Sequence, residues 1–179
     1  MARIFLTGGS GFVGSHVLPA LLAAGHDVVA LARTPKSAAT IASQPTSAAG
    51  SDAIVHLVAI PRDWNNGADL LRINTAGTEA MIAAASAAGI TRFVHLGALG
   101  VQDREELHYA KSKARAERAV RESSLDWTII KPSLIWGERD GFFNIVATLV
   151  KIPAPAVPVP GNGKSRFQPV WVGDVARAI

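Results

Sequence analysis

The chain opens on a short apolar run, Arg3-Ile4-Phe5-Leu6, and runs of the same kind return along the sequence. Val28-Val29-Ala30-Leu31, Asp52 to Ala59, Arg92-Phe93-Val94-His95-Leu96 and Trp127-Thr128-Ile129-Ile130 are apolar almost without interruption. A strand with one wet face alternates apolar and polar residues; a strand covered on both faces does not, so these read as interior strands. The segments between them carry helical patterns. Val17 to Gly25 reads as a helix closed by glycine, and Asp69 to Ala88 as a long alanine-rich helix closed by Gly89. Tyr109 to Glu122 is a charged helix, Phe142 to Lys151 is helical, and Phe167 to Ile179 reads as one more strand turning into a helix. Strand-then-helix repetition predicts an α/β fold: a doubly wound, Rossmann-like parallel sheet with right-handed crossovers.

Two stretches break this rhythm. Ser37 to Gly50, rich in Ser, Ala, Thr, Gln and Pro, reads as a loop or a frayed helix. Ile152 to Gly163 holds four prolines and two glycines and reads as an irregular connection. At 179 residues and 49% hydrophobic content the chain suits a single domain with a substantial core, and residues 1–179 are read as one unit. With no cysteine there is no disulfide and no thiolate metal ligand; no metal site is expected, and a cytoplasmic or other reducing compartment fits. No apolar run reaches the length of a membrane span.

The net charge of +4 raises the question of nucleic acid. The densest basic stretch, Arg104 to Arg121, is interleaved with Glu105, Glu106 and Glu117 and has no aromatic platform, so it reads as a solvated helix face and no nucleic-acid partner is expected.

Chemistry enters with Thr7-Gly8-Gly9-Ser10-Gly11-Phe12-Val13-Gly14, which lies between the first strand and the first helix. The spacing is Gly8-x-x-Gly11-x-x-Gly14. Gly8 would permit the tight turn, Gly11 the approach of a pyrophosphate to the backbone, and Gly14 the close packing of helix on sheet. Free amides and the dipole at the helix start suit a phosphate, so the chain is expected to hold a dinucleotide.

Five motifs in order strengthen this. TGGSGFVG, DAIVHLVA, NTAGTEAMIAAASAAGITRFVHL, YAKSK and KPSLIWG together resemble the extended and atypical branches of the short-chain dehydrogenase/reductase superfamily, nearest the NAD(P)-binding, epimerase-like and NmrA-like group around the complex I accessory subunit. The resemblance implies that Gly8, Ser10, Gly11, Phe12, Val13 and Gly14 line the pyrophosphate. It places Leu57, Val58 and Ala59 on the adenosine side and Pro132, Ser133 and Leu134 beside the nicotinamide. It makes Tyr109 the acid/base and Lys113 its partner and the ribose anchor. Four residues apart on a helix, Tyr109 and Lys113 share a face, and a nearby cation would lower the phenol pKa.

Three departures qualify the expectation. The Ser or Thr that the family places after the fourth of these strands is absent: His95-Leu96-Gly97-Ala98-Leu99-Gly100 stands there. His95 reads as a structural histidine more readily than as a substitute donor. At the end of the second strand, Ala32-Arg33 replaces the acidic residue of NAD-selective relatives. Arg33 offers a fork of donors to a 2′-phosphate, so NADP(H) is read over NAD(H). Finally, the eighteen residues between Arg33 and Asp52 are too few for the helix and strand that relatives carry there, so one strand is expected to be lacking. The C-terminal substrate lobe is also expected to be absent, with 152–179 the start of the connection to it. Two readings follow: an NADP(H)-binding oxidoreductase or epimerase-like enzyme acting on an unknown small molecule, or a cofactor-binding scaffold or redox-sensing subunit with a protein partner.

Overall fold

The computed structural model describes residues 1–32, 48–151, 162, 164 and 166–179. Five parallel strands form the central sheet: β1 (Arg3–Thr7), β2 (Asp27–Leu31), β3 (Ala53–His56), β4 (Arg92–Leu96) and β5 (Asp126–Ile130), in the order β2-β1-β3-β4-β5. The register sets Phe5 beside Val29 and Ile54, and Ile54 beside Phe93. Residues 33–47, where an additional strand was expected to be lacking, lie outside the described residues.

Strand residues alternate between two buried faces, which is why their sequences are apolar throughout. Ile4, Leu6, Val28, Ala30 and Val55 pack on one side with Val17 and Leu21 of α1 (Gly14–Ala23) and Ala176 of α6 (Val172–Ala178). Phe5, Val29, Ile54 and Phe93 pack on the other with Ala85 of α3 (Gly77–Ala87) and Val120 of α4 (His108–Glu122). The sheet is therefore the middle of three layers.

The predicted long helix from Asp69 to Ala88 is present but not continuous. A short α2 (Ala68–Leu70) runs into a π-helical segment, Leu71–Ala76, before α3 begins. The wider turn places the Asn74 side chain inward, fully buried. The third strand ends three residues earlier than its apolar run, at His56, and Leu57-Val58-Ala59 leave the sheet as a loop. Beyond β5, Ile135–Trp136 (β6) pairs in parallel with Val170–Trp171 (β7). β7 and α6 are the strand turning into a helix expected within Phe167 to Ile179, whereas β6, two residues long, was not expected. Between β6 and β7 lies α5 (Phe143–Lys151).

The solvated face expected for the stretch Arg104 to Arg121 needs correction. Lys111, Lys113 and Glu117 of α4 are buried, because this helix turns a polar stripe inward. Its charges are spent within the protein: Lys111 pairs with Glu105, Arg115 and Arg118 with Asp103, and Glu117 bridges Arg121 and Lys131.

Candidate functional site

The order in which strands are added reverses at β1, between β2 and β3. The strand that follows β1 lies on one side of it and the next lies on the other, so a crevice opens where the two carboxyl ends part. The glycine turn sits at that point. Gly11 N donates to Gly8 O at 3.0 Å, and Ser15 N to Gly11 O at 2.9 Å, as the chain folds into α1. Gly8 has φ +78°, the left-handed conformation a tight turn needs, and packs against the Leu57 backbone. A Cβ at Gly14 would lie 2.1 Å from Gly8 O and 2.6 Å from Gly9 Cα. The third glycine is thus required by contact of the helix start with the turn itself, where contact with the sheet was expected. A Cβ at Gly11 meets only Gly8 O, at 3.2 Å, and otherwise open space. The first turn of α1 carries no acidic residue and no side-chain cap; Ser15 N and His16 N are taken by backbone carbonyls, and the amides of Phe12, Val13 and Gly14 are the ones left for an anion. A pyrophosphate fits this cradle on its donors and its shape.

One cleft of about 470 Å³ joins the turn to the opposite wall. Gly8, Gly11, Phe12, Val13, Gly14, Leu57, Ala59, Tyr109, Lys113, Pro132, Ser133 and Leu134 all line it. Ser10 and Val58 are not among the lining residues, and Arg33 lies outside the described residues. Sequence reasoning missed Ile60, Pro61, Arg62 and Phe142, which also line the cleft. For the first three a signal existed: they follow directly on the third strand, at the switch point.

Lys113 is almost fully buried, and its Nζ donates to Leu96 O at 2.5 Å. Burial pulls its pKa down to about 8, with Glu117 partly opposing the effect. Tyr109 differs from expectation. Burial raises its pKa above the ordinary phenol value, and no lowering by Lys113 offsets it. The Lys113 ammonium is committed to the Leu96 carbonyl, so the phenol is fully protonated at neutral pH and poised to give a proton.

A polar relay behind the cleft fixes the helix that carries both residues. Thr7 Oγ1 and His56 Nδ1 are 2.7 Å apart, His56 Nε2 and Thr78 Oγ1 3.2 Å apart, and Thr78 Oγ1 donates to Asn74 O at 2.7 Å. Since the Thr78 proton goes to Asn74 O, we assign the proton of His56 to Nε2, leaving Nδ1 to accept from Thr7. Asn74 clamps Ile60 in both directions, accepting from its N at 2.8 Å and donating to its O at 3.0 Å, and also donates to Ser112 Oγ. Ser112 Oγ in turn donates to Tyr109 O at 2.8 Å. The polar residues of the alanine-rich helix, Asn74 and Thr78 at i and i+4, were the sequence signal for this relay.

His95 is buried beside His56, rings stacked at 5.7 Å, with neither ring nitrogen hydrogen-bonded. Burial pushes it down to about 2 and His56 down to about 3, so both are neutral. His95 is not among the residues lining the cleft, where Leu96, Gly97 and Ala98 stand instead. No substitute donor for the absent Ser or Thr comes from this strand.

A glycine turn at the switch point of a parallel sheet, facing a tyrosine and a buried lysine across one cleft, defines a dinucleotide-binding domain of the Rossmann class. The NAD dependent epimerase/dehydratase family matches residues 4–179, and the chain belongs to that family. It is 31% identical over 175 residues to a 4-hydroxy-2-methyl-3-oxo-4-farnesyl-3,4-dihydroquinoline-1-oxide ketoreductase of Stigmatella aurantiaca, covering 79% of this chain and 52% of that protein. It is 35% identical over 91 residues to the mitochondrial NADH dehydrogenase [ubiquinone] 1 alpha subcomplex subunit 9 of Arabidopsis thaliana, covering 51% of this chain and 22% of that one. Among solved structures, MoeE5 in complex with UDP-glucose and NAD superposes with a TM-score of 0.79 at 22% identity, covering 98% of this chain and 70% of that one. The chain therefore spans about half the length of the ketoreductase it matches. Among the described residues no helix is long and apolar enough to cross a membrane.

Proposed function

We infer that the chain is the cofactor-binding domain of an NADP(H)-dependent oxidoreductase of the reductase or epimerase-like kind. The observation that carries this is the sharing of one cleft by the glycine turn, Tyr109 and Lys113. In this reading the turn from Gly8 to Gly14 holds the pyrophosphate, Ser10 among its residues, and Leu57, Val58 and Ala59 flank the adenosine. Arg33 takes the 2′-phosphate that distinguishes NADP(H). Lys113 anchors the nicotinamide ribose, and Pro132, Ser133 and Leu134 shape the nicotinamide end. The nicotinamide supplies or accepts hydride at the substrate carbon. Tyr109 Oη gives its proton to the carbonyl oxygen as the new C–H bond forms, and takes it back in the reverse direction. Burial keeps the phenol in its protonated form at neutral pH, the form that carries a proton to give. A ketoreductase among the relatives supports a carbonyl substrate.

Tyr109→Phe tests the assignment. Carbonyl reduction should fall by about 10²-fold or more while cofactor affinity changes little. Turnover indifferent to the loss of this hydroxyl removes Tyr109 from the mechanism.

A second reading, a cofactor-binding scaffold with a protein partner, is favoured by one observation. Gly97 and Ala98 stand where the family has a hydroxyl, and losing such a donor costs about 10²–10³ in rate. Full-length protein that binds NADPH but reduces no carbonyl compound at any pH supports that reading over the first.

A further inference from the structure

His56 sits where the two walls of the cleft are tied together. It is the last residue of β3, paired across the sheet with Thr7, the last residue of β1 and the neighbour of Gly8. Its ring is buried, with His95 stacked on it at 5.7 Å and Phe93 tilted against it at 6.0 Å, so its plane is fixed. Thr7, Asn74, Thr78 and Ser112 are buried as well, so these polar groups depend on one another and not on water.

The hydrogen bonds run in one direction. Thr78 Oγ1 gives its proton to Asn74 O, so towards His56 it can only accept, and His56 Nε2 donates. Burial and the charge of Lys113 keep the ring neutral, and a neutral ring that donates at Nε2 accepts at Nδ1, here from the Thr7 hydroxyl. Each ring nitrogen therefore holds a different part of the cleft. At the Nδ1 end, Thr7 runs straight into the glycine turn. A Cβ on Gly8 would meet the carbonyl carbon of Leu57, the residue after His56, at 3.0 Å, so a shift of Thr7 against His56 is a shift of the turn. At the Nε2 end, Thr78 and Asn74 fasten the π-helical segment to α4. Asn74 Nδ2 donates to Ser112 Oγ, Thr75 Oγ1 to Ser112 O at 2.9 Å, and Ser112 Oγ to Tyr109 O. Among the described residues no other side-chain hydrogen bond joins β1 or the glycine turn to α3 or α4.

We propose that His56 is a positioning residue: as the neutral Nε2–H tautomer it holds the glycine turn at one ring nitrogen and, through Thr78, Asn74 and Ser112, the helix of Tyr109 at the other. The proposal rests on the reductase reading above.

Thr7→Val and Thr78→Val each remove one hydroxyl, keep the side-chain shape and cut one end of the link. His56→Leu cuts both ends, and His56→Gln puts an acceptor, Oε1, and a donor, Nε2, back on one side chain. All are made in the full-length protein, with circular dichroism confirming the fold. NADPH affinity is read by fluorescence titration, the Tyr109 phenol by the Cζ resonance of carbon-labelled tyrosine, and the His56 tautomer by nitrogen-labelled histidine. The resonances are assigned by their loss in Tyr109→Phe and His56→Gln. In the parent, His56 should show a protonated Nε2 and a bare Nδ1. Thr7→Val should weaken NADPH about tenfold, the lower end of what losing a supporting partner behind a site costs, and leave the Tyr109 resonance in place. Thr78→Val should move the Tyr109 resonance and leave NADPH affinity within about twofold of the parent. His56→Leu should do both, and His56→Gln should return both towards the parent. A histidine that only stabilises the core would not split its effects in this way. An Nδ1–H tautomer in the parent overturns the proposal. So do a Tyr109 resonance unmoved by Thr78→Val, two threonine variants with the same pair of effects, or a folded His56→Gln no better than His56→Leu. If His56→Leu does not fold, the tautomer and the threonine variants decide. Failure of NADPH and NADH to bind the parent strikes the reductase reading instead, and the tautomer and tyrosine resonances then decide the role of His56.

Discussion

Lys113→Met should make the protein more stable and at the same time unable to hold its cofactor. Lys113 is 2% exposed, and burial brings its pKa from 10.5 to about 8. A depression of that size means that keeping the ammonium charged in the fold costs about 3 kcal/mol at neutral pH. Methionine has nearly the same length and volume without the charge. It forfeits the bond from Nζ to Leu96 O, which is worth about 1 kcal/mol net. The variant should therefore gain about 2 kcal/mol at pH 7. The sign of the pH dependence is fixed. Between pH 8 and 10.5 the unfolded chain holds the Lys113 proton and the folded one has lost it, so parent stability from this group rises across that window. The advantage of the variant should shrink over the same interval and vanish near its upper end. Urea unfolding of both proteins at pH 7 and pH 10 reads the difference directly. A variant that is less stable than the parent at pH 7, or a gap that does not change with pH, refutes the reasoning.

Three further outcomes follow from the same geometry. His56 and His95, held at about 3 and about 2 against 6.5 unfolded, keep their contribution above pH 6.5 and lose it as pH falls; each should cost about 2 kcal/mol between pH 7 and pH 5, so His95→Leu, which leaves no partner unpaired, should remove about half of that loss in urea titrations at the two pH values. Restoring a hydroxyl should work at Ala98, which lines the cleft, and fail at Gly97, where a Cβ meets Ile129 Cγ2 at 3.0 Å and Lys131 Cγ at 3.3 Å: Ala98→Ser should raise carbonyl reduction by up to about 10²-fold and Gly97→Ser should not, as steady-state rates will show. Arg33→Ala should weaken NADPH by about 1.5–3 kcal/mol and leave NADH nearly unchanged in fluorescence titrations, whereas equal affinity of the parent for both cofactors removes the case for a 2′-phosphate contact.

The parallel sheet was legible because its physics is local. Continuous apolar runs such as Ile4-Phe5-Leu6 and Ile54-Val55 require cover on both faces, and the structure divides their side chains between two cores. The glycine turn was equally legible, since its position after a strand and before a helix is written in the sequence. What escaped depended on tertiary contact. The π-helical segment at Leu71–Ala76 has no propensity signature; it arises where Asn74 turns inward to clamp Ile60. The tyrosine pKa was expected to fall because Lys113 shares its helix face, but that lysine is drawn to the Leu96 carbonyl and burial dominates. Likewise the charge pattern of Arg104 to Arg121 suggested a solvated helix face, yet Lys111, Lys113 and Glu117 of α4 are buried, two of them in ion pairs and Lys113 on the Leu96 carbonyl. Charge spacing shows which residues share a face; what that face packs against is decided elsewhere in the chain.

If the turn from Gly8 to Gly14 holds the pyrophosphate of a nicotinamide dinucleotide, binding must fail when a side chain is placed at Gly11. The most direct test is a fluorescence titration of NADPH and NADH against the parent and Gly11→Val, with circular dichroism confirming that both are folded. A side chain at Gly11 enters open cleft space beyond Gly8 O, so the fold should persist and binding of either cofactor should be lost. A folded Gly11→Val that binds NADPH as tightly as the parent would contradict the account.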